Sequence, residues 1–367
     1  MAEIQELRIG FALKRLAVGF SFITLASAVL LLSDLNQRTT GVGKIPRVAV
    51  LQHASTALLD ETVQGMLDAL ADAGYRDGQN IAISRFNAEN DLPTDNAIAK
   101  EITDGKFDLV LTASTLSMQA VANANKAGKA IHVFGAVADP FSAGIGLNRE
   151  NPMDHPKHLV GIGTFMPVAA DFELARQLFP ALKTVGLAWN PAESNSRAFT
   201  LKAREASQRL GIELLEANVE HSSGVGEAAN SLVSRGAQVL WISGDVTVLV
   251  AADVVVAAAR KARIPVFTLT PPLIDRGTLF DLGANFITIG RQTGELAVKL
   301  LRGANPADFP IEDRVPERLL INKVALNGLR DPWRIPDALI RRADSFIDAS
   351  GKHDRSAAQA ASTNPGK

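Results

Sequence analysis

The sequence predicts an α/β protein of two doubly wound lobes, each a parallel sheet covered by helices on both faces. Three observations predict it. Short apolar runs alternate with stretches of helical spacing from Arg47 onward, the strand runs are continuously apolar, and one βαβαβ progression occurs twice. A chain of 367 residues also suits two domains with terminal extras better than one.

RVAVLQ (47–52) is the first strand. Over 58–74, Val63, Met66, Leu67 and Leu70 recur at helical spacing and Gly74 supplies the stop. A strand over 81–86, a helix over 92–103, a strand over 108–112, a helix over 116–126 and a strand over 130–134 complete the first set. The second set is a strand over 184–189, a helix over 195–210 ended by Gly211, a strand over 212–217, a helix over 225–234, a strand over 238–242, a helix running to Arg263 and a strand over 264–267. FDLVLTAST parallels AQVLWISGD, and KAGKAIHVFGAVADP parallels KARIPVFTLTPP, so two diverged copies of one unit are the simplest account. FDLGANF, an amphipathic helix over 288–301, a strand over 318–321 and a helix over 337–346 follow, a late return expected of a chain that crosses between lobes several times. DASGKHDRSAAQAASTNPGK lacks apolar periodicity and reads as disordered.

These patterns set the expected boundaries. Residues 1–15 are a cytoplasmic N-terminus, 16–32 a signal sequence or transmembrane anchor, and 33–46 a linker. The first lobe takes 47–160 plus about 287–346, the second lobe 161–286, and the tail 347–367. Lys14 and Arg15 precede an uncharged run whose only polar residues are Ser21, Thr24 and Ser27, so the N-terminus stays inside and the rest is exported. In length the run lies between a secretory apolar region and a full span. Ala26-Ser27-Ala28 offers a small-x-small cleavage site, yet cutting there leaves an apolar stub, so anchoring and cleavage both fit.

A net charge of −1 and a single tyrosine, Tyr75, exclude the basic, aromatic-interleaved surface that nucleic acid needs. The absence of cysteine excludes disulfides, thiolate nucleophiles and cysteine-held metals. No G-x-S-x-G elbow, Walker loop or G-x-G-x-x-G fingerprint occurs, so neither a catalytic residue nor a cofactor is expected. His155 and His158 have metal-ligand spacing but lie in a proline-flanked polar loop, and no metal is assigned to them. His132 lies inside an apolar strand, as a core histidine would, and Trp189 and Trp241 also lie in strands.

Ligands of open parallel sheets bind beyond the carboxyl ends of the strands. The polar residues there are Gln52, His53, Thr112, Ser114, Thr115, Asp139, Asn190, Glu193, Asn195, Ser196, Asp245, Thr247 and Asn285. Helix starts at Ser114/Thr115 and Asn195/Ser196 leave N–H groups for a carboxylate, and Asp139, Glu193 and Asp245 supply charge for an ammonium. The set suits a small zwitterion. Each member is equally at home as a cap or turn former, and the matching positions in both repeats are what unite them.

AGYRDGQNIAI, the VADP step, LAWNPAESNS, IPVFTLTPPLIDRG and LLINKVAL, in this order over about 47–343, resemble the ABC-transporter substrate-binding proteins of the tryptophan-binding type. The resemblance implies a type I periplasmic-binding fold of two Rossmann-like lobes joined by a multi-strand hinge. It also implies a periplasmic protein that hands a small, amino-acid-like solute to an ABC permease in the inner membrane. By matching position it implies that Thr115, Asp139, Asn190, Glu193, Asn195, Ser196 and Asp245 line the cleft. Two departures stand out: Val246 follows Asp245 where many amino-acid-binding relatives have asparagine, and the lipid-anchoring cysteine is missing. They bear on ligand identity and on membrane attachment. A membrane-tethered sensor or scaffold that reuses the fold is the alternative.

Overall fold

Two parallel sheets, built in the same strand order, carry the chain. The computed structural model describes residues 45–355 together with Ser27, and the fold is that of the unit from Pro46 onward. The run at 16–32, but for Ser27, and the tail from 356 lie outside the described residues. Among the described residues no helix is long and apolar enough to cross a membrane.

The first lobe runs β1 (Arg47–Gln52), α1 (Ala57–Asp72), β2 (Ala82–Asn87), α2 (Leu92–Ile102), β3 (Leu109–Ala113), α3 (Thr115–Ala124), β4 (Ile131–Val137) and β5 (Leu159–Gly163). Its sheet has the order β2-β1-β3-β4-β5, with the short β11 (Glu312–Asp313) beside β5. The second lobe runs α4 (Val168–Leu178), β6 (Thr184–Trp189), α5 (Ser194–Leu210), β7 (Glu213–Asn218), α6 (Val225–Ser234), β8 (Val239–Ile242), α7 (Val246–Leu249), α8 (Ala252–Ala262), β9 (Val266–Thr268) and β10 (Phe280–Ala284). Here the order is β7-β6-β8-β9-β10, the same permutation, as two copies of one unit require. β3 and β10 are buried along their whole length because helices cover both faces. Gly211 ends α5 in the left-handed conformation at φ 62°, the stop read from the sequence.

Packing of the second lobe centres on aromatic rings. Phe172 of α4 meets Trp241 edge-on at 5.0 Å and Phe267 at 5.6 Å, and Phe267 stacks on Phe280 at 5.1 Å. Trp241 is therefore core, and its Nε1 donates to Asp171 over 2.6 Å.

After β10 the chain returns to the first lobe as α9 (Phe286–Leu301), which lies along α1. Three glycines set that contact: a Cβ on Gly65 would strike the Ile287 carbonyl, one on Gly290 the Thr62 carbonyl, and one on Gly294 the Met66 carbonyl. Backbone thus meets backbone, and the helices sit closer than side chains would allow.

The boundaries differ from expectation in three places. β5 stays in the first sheet, so the second lobe begins after residue 163 rather than at 161. β12 (Glu317–Asn322), expected in the first lobe, pairs antiparallel with β10 in the second sheet, Phe280 opposite Ile321. The last helix, α10 (Asp337–Arg342), is shorter than 337–346, and the tail expected to be disordered from 347 begins as a hairpin of β13 (Ser345–Asp348) and β14 (Gly351–Asp354). Phe346 stacks on His353 at 4.6 Å, and Asp348 accepts the Ser350 N–H at 2.9 Å, so local contacts replace the missing apolar period.

The chain passes between the sheets at 164–167, at Asn285 and at 314–316. These crossings are bonded to one another: Arg314 N–H donates to the Gly163 carbonyl at 2.8 Å and Asn285 N–H to the Pro316 carbonyl at 2.7 Å. The helix contact that brings the chain back has a direct test. Gly290→Ala, which overpacks it, should lower the free energy of unfolding by about 1–3 kcal/mol in a urea titration, and an unchanged midpoint would show that the helices have room to part.

Candidate functional site

The carboxyl ends of both sheets face one another across a cleft, and five helices begin there. α1, α3, α5, α7 and α9 each contribute a residue from their first two turns to a single cavity: Leu58 and Leu59, Thr115, Asn195 and Phe199, Val246, and Phe286. Ser114, Ala136, Ala138, Thr164, Met166 and Gly244 complete the lining. The walls are largely apolar, with Phe199 backed by Phe165 at 5.1 Å, and helix starts border them. Ser114 (φ 121°) and Ala136 (φ 53°) border the space in conformations that L-residues rarely adopt, as backbone at binding sites often is.

Larger hollows of about 480 Å3, around 217–231, and about 310 Å3, between Val256 and Leu329, lie on the second lobe alone. The cleft cavity is only about 30 Å3, room for a couple of water molecules, yet it alone among these gathers both lobes at the strand ends. Two bonds cross between the lobes beside it. Arg318 Nη1 lies 2.9 and 3.0 Å from the two Glu61 carboxylate oxygens, and Ser194 Oγ donates to Gln119 Oε1 at 3.4 Å while Gln119 Nε2 donates to the Ala143 carbonyl at 2.7 Å.

Of the residues expected in the site, Ser114, Thr115 and Asn195 line the cavity. Ser114 caps α3 by accepting the Ser117 N–H at 3.1 Å, and Thr115 Oγ1 accepts the Ala138 N–H at 3.3 Å. Gln52 does not reach it, since its amide donates to Asp60 at 2.8 Å and to the Ala54 carbonyl at 3.1 Å. Nor does Asp139: its Oδ1 accepts from Phe141 N, Ser142 N and, at 2.5 Å, Arg149 Nη2. Its carboxylate is spent on its own loop.

Asn190, Glu193, Ser196, Asp245 and Thr247 form one buried network behind Asn195. Glu193 Oε1 accepts from Thr247 N at 3.0 Å and Thr247 Oγ1 at 2.6 Å, and Oε2 from Val246 N at 2.9 Å and Asn195 Nδ2 at 3.2 Å. Asp245 accepts from Asn190 N and Ser196 Oγ at 2.5 Å each, and caps α7 through Val248 N at 2.9 Å. Asn190 Nδ2 donates to Thr247 Oγ1 at 3.0 Å. Burial, and then the Glu193 charge, push the Asp245 carboxyl up to about 7 against these bonds. The acids expected to hold an ammonium are therefore already satisfied within the lobe. Asn195 was expected to offer donors. Its Nδ2 is taken by Glu193 and, at 2.7 Å, by the Gly244 carbonyl, so it presents Oδ1 instead.

Met166, Phe199, Phe286 and the α1 leucines were not singled out from sequence because they are apolar, and Thr164 because no strand was expected over 159–163. Phe199 was within reach of it, four residues beyond Asn195 on the same helical face. The histidines are structural. His132 is buried against Thr112 Oγ1 at 2.9 Å, and burial, then the His158 charge, push it down to about 3. His155 spends both ring nitrogens on the Pro156 and Phe309 carbonyls. His53 Nδ1 meets Asp95 at 2.8 Å, and the Ser117 hydroxyl donates to that same carboxylate rather than to the imidazole, so the buried trio braces the rim.

The family model for ABC transporter substrate binding proteins matches residues 47–347. A tyrosine-binding protein of Clostridioides difficile (strain R20291) is 30% identical over 297 residues, covering 81% of this chain and 84% of that protein. A crystal structure of a conserved domain protein from Vibrio cholerae superposes with a TM-score of 0.76 at 28% identity, covering 83% of this chain and 100% of that one. A Streptococcus pneumoniae ABC domain in complex with L-Trp has the same TM-score, 0.76, at 24% identity, with 83% and 100% covered. The ligand-free, open structure of a Clostridium difficile substrate-binding protein with adhesive properties scores 0.59 at 30% identity, with 80% and 96% covered. The lower score against the open form, in spite of its higher identity, agrees with lobes that are closed here.

The buried acids predict a pH signature. Burial raises Asp171 well above the ordinary value, since its one bond, from Trp241, opposes burial only weakly, and the Asp281 charge adds to the rise. Burial likewise lifts Asp281 to about 7. A carboxyl whose folded pKa exceeds its unfolded 3.8 holds its proton longer in the native state, so its stabilising contribution is lost as pH rises from about 4 to 7. His132, displaced downward, works in the opposite sense below 6.5, so the difference between variants is the readout. Asp171→Asn should gain stability relative to wild type as pH is raised from 4 to 8 in denaturant titrations, and a difference independent of pH would mean that Asp171 ionises inside the fold.

Proposed function

The chain belongs to the ABC transporter substrate-binding protein family, and we propose that it is a member whose cleft closes on an aromatic amino acid for delivery to a membrane permease. The family is one of solute-binding proteins rather than enzymes. One observation carries the ligand class: a cavity drawn from both lobes, walled by Phe199, Phe286, Met166 and two leucines, and rimmed by helix N-termini. Rings supply the apolar contact for an aromatic side chain, and the start of α3, where Ser114 and Thr115 border the cavity, suits its carboxylate. The tyrosine-binding relative, 30% identical, supports the same class.

At about 30 Å3 the cavity is far below the roughly 300–1,000 Å3 of ordinary ligand pockets, so entry requires the lobes to part. Ligand contacts from both sides then favour the closed form over the open one, and that difference is what a permease reads. The charge-free run at 16–32, with Lys14 and Arg15 before it, supports an extracytoplasmic location at the inner membrane. The mass of the intact protein from membranes distinguishes an anchor from a cleaved leader.

In a thermal-shift and calorimetric screen, L-tyrosine, L-tryptophan or L-phenylalanine should bind one to one. At about one hundred times its dissociation constant the ligand should add roughly 2.7 kcal/mol to the folded state. Phe199→Leu should weaken binding by about twofold to tenfold through loss of ring stacking, whereas Asp139→Ala should leave affinity unchanged. A response to sugars alone would overturn the ligand class.

A further inference from the structure

We propose that the amine of the bound amino acid is held by two uncharged oxygens, Asn195 Oδ1 from the second lobe and Thr164 Oγ1 from the end of β5, rather than by a carboxylate. The inference rests on the reading of the cleft as an amino-acid site and specifies how that site reads the amine. Asn195 and Thr164 are 4% and 1% exposed, both border the cavity, and neither oxygen has a hydrogen-bond partner among the described residues. Buried polar atoms are mostly paired in folded proteins, so two unpaired oxygens on residues that border one cavity mark a place where a donor from the ligand can be received once the lobes part.

The Asn195 amide cannot reverse to meet that demand differently. Its Nδ2 donates to Glu193 Oε2 at 3.2 Å and to the Gly244 carbonyl at 2.7 Å, and a flipped amide would set its oxygen against both of these acceptors. Oδ1 is therefore fixed as an acceptor. The backbone of Thr164 is held too, because its N–H donates to the Val137 carbonyl at 2.6 Å where the first crossing leaves β5, and its hydroxyl oxygen can accept from an ammonium.

No acid takes this part. Glu193 accepts from three donors of 246–247 and from Asn195, Asp245 from Asn190, Ser196 and Val248, and Asp139 from Arg149 and two N–H groups of its loop. Glu193 instead acts through the amide: its charge polarises the Asn195 N–H bond and strengthens the oxygen on the other side. An ammonium seated on Oδ1 meets negative potential with no carboxylate desolvated to face it.

The test is calorimetric titration of wild type, Thr164→Val and Asn195→Ala with L-tyrosine and with 3-(4-hydroxyphenyl)propionate, the same molecule without its amine. Wild type should prefer L-tyrosine. Each variant should cut that preference roughly tenfold to hundredfold, the loss of one hydrogen bond to a charged group, while affinity for the amine-free acid holds. Thr164→Val keeps the side-chain shape, so its result stands even if Asn195→Ala loosens the Glu193 network. An undiminished preference in Thr164→Val overturns the inference alone, as does a wild type that binds both compounds equally. A wild type that binds neither these nor the other aromatic amino acids overturns the ligand class, and the inference with it.

Discussion

The contact of α1 with α9 through Gly65, Gly290 and Gly294 is the constraint on which the rest of the molecule depends. It draws the chain back from the second lobe onto the first, so three crossings rather than one join the lobes. It also positions the site. Leu58 and Leu59 open α1, Phe286 opens α9, and the two helix starts stand side by side because the turns that follow them are in backbone contact. The apolar wall of the cavity is thus an extension of a packing contact whose tightness only glycine permits.

The second lobe meets the cleft with a different device. Its rim is organised by two buried carboxylates that satisfy the free N–H groups of α7 and tie them to the start of α5. Removing one partner from such a network leaves a buried charge uncompensated, so the rim behaves as a rigid unit and specificity rests with the few atoms it leaves unpaired. Asn195 is the member that joins the two, with its nitrogen in the network, its residue on the cavity wall and its oxygen unpaired among the described residues.

Closure without ligand has modest support. The Glu61–Arg318 pair is partly exposed, its side chains 21% and 24% accessible, and such pairs contribute up to about 1 kcal/mol. The Ser194–Gln119 bond is long at 3.4 Å. Neither is strong enough to hold the lobes shut against the freedom of the hinge by a wide margin. A ligand that bonds to both lobes therefore shifts the balance readily, and a small differential affinity suffices.

The amino-acid sequence by itself determined the strands, the doubled unit and the end of the sheets where ligands meet, because apolar continuity and helical spacing are local properties of the chain. It also pointed to 114–115 and 193–196, stretches that lie at the cavity or in the network behind it, since polar residues that follow strands lie at that end whatever their role. Which of them border the cavity was decided only by the tertiary structure. Glu193 takes three of its four donors from Val246 and Thr247, more than fifty residues away by sequence number, so little near it in sequence signals that its charge is spent. The same holds for β12, whose partner is β10 across an intervening helix, and for the Asn195 amide, whose direction is set by the Gly244 carbonyl. Spacing along a chain encodes periodicity, whereas the pairing of a buried polar atom depends on which distant segment folds against it, and that is where the site of this protein was fixed.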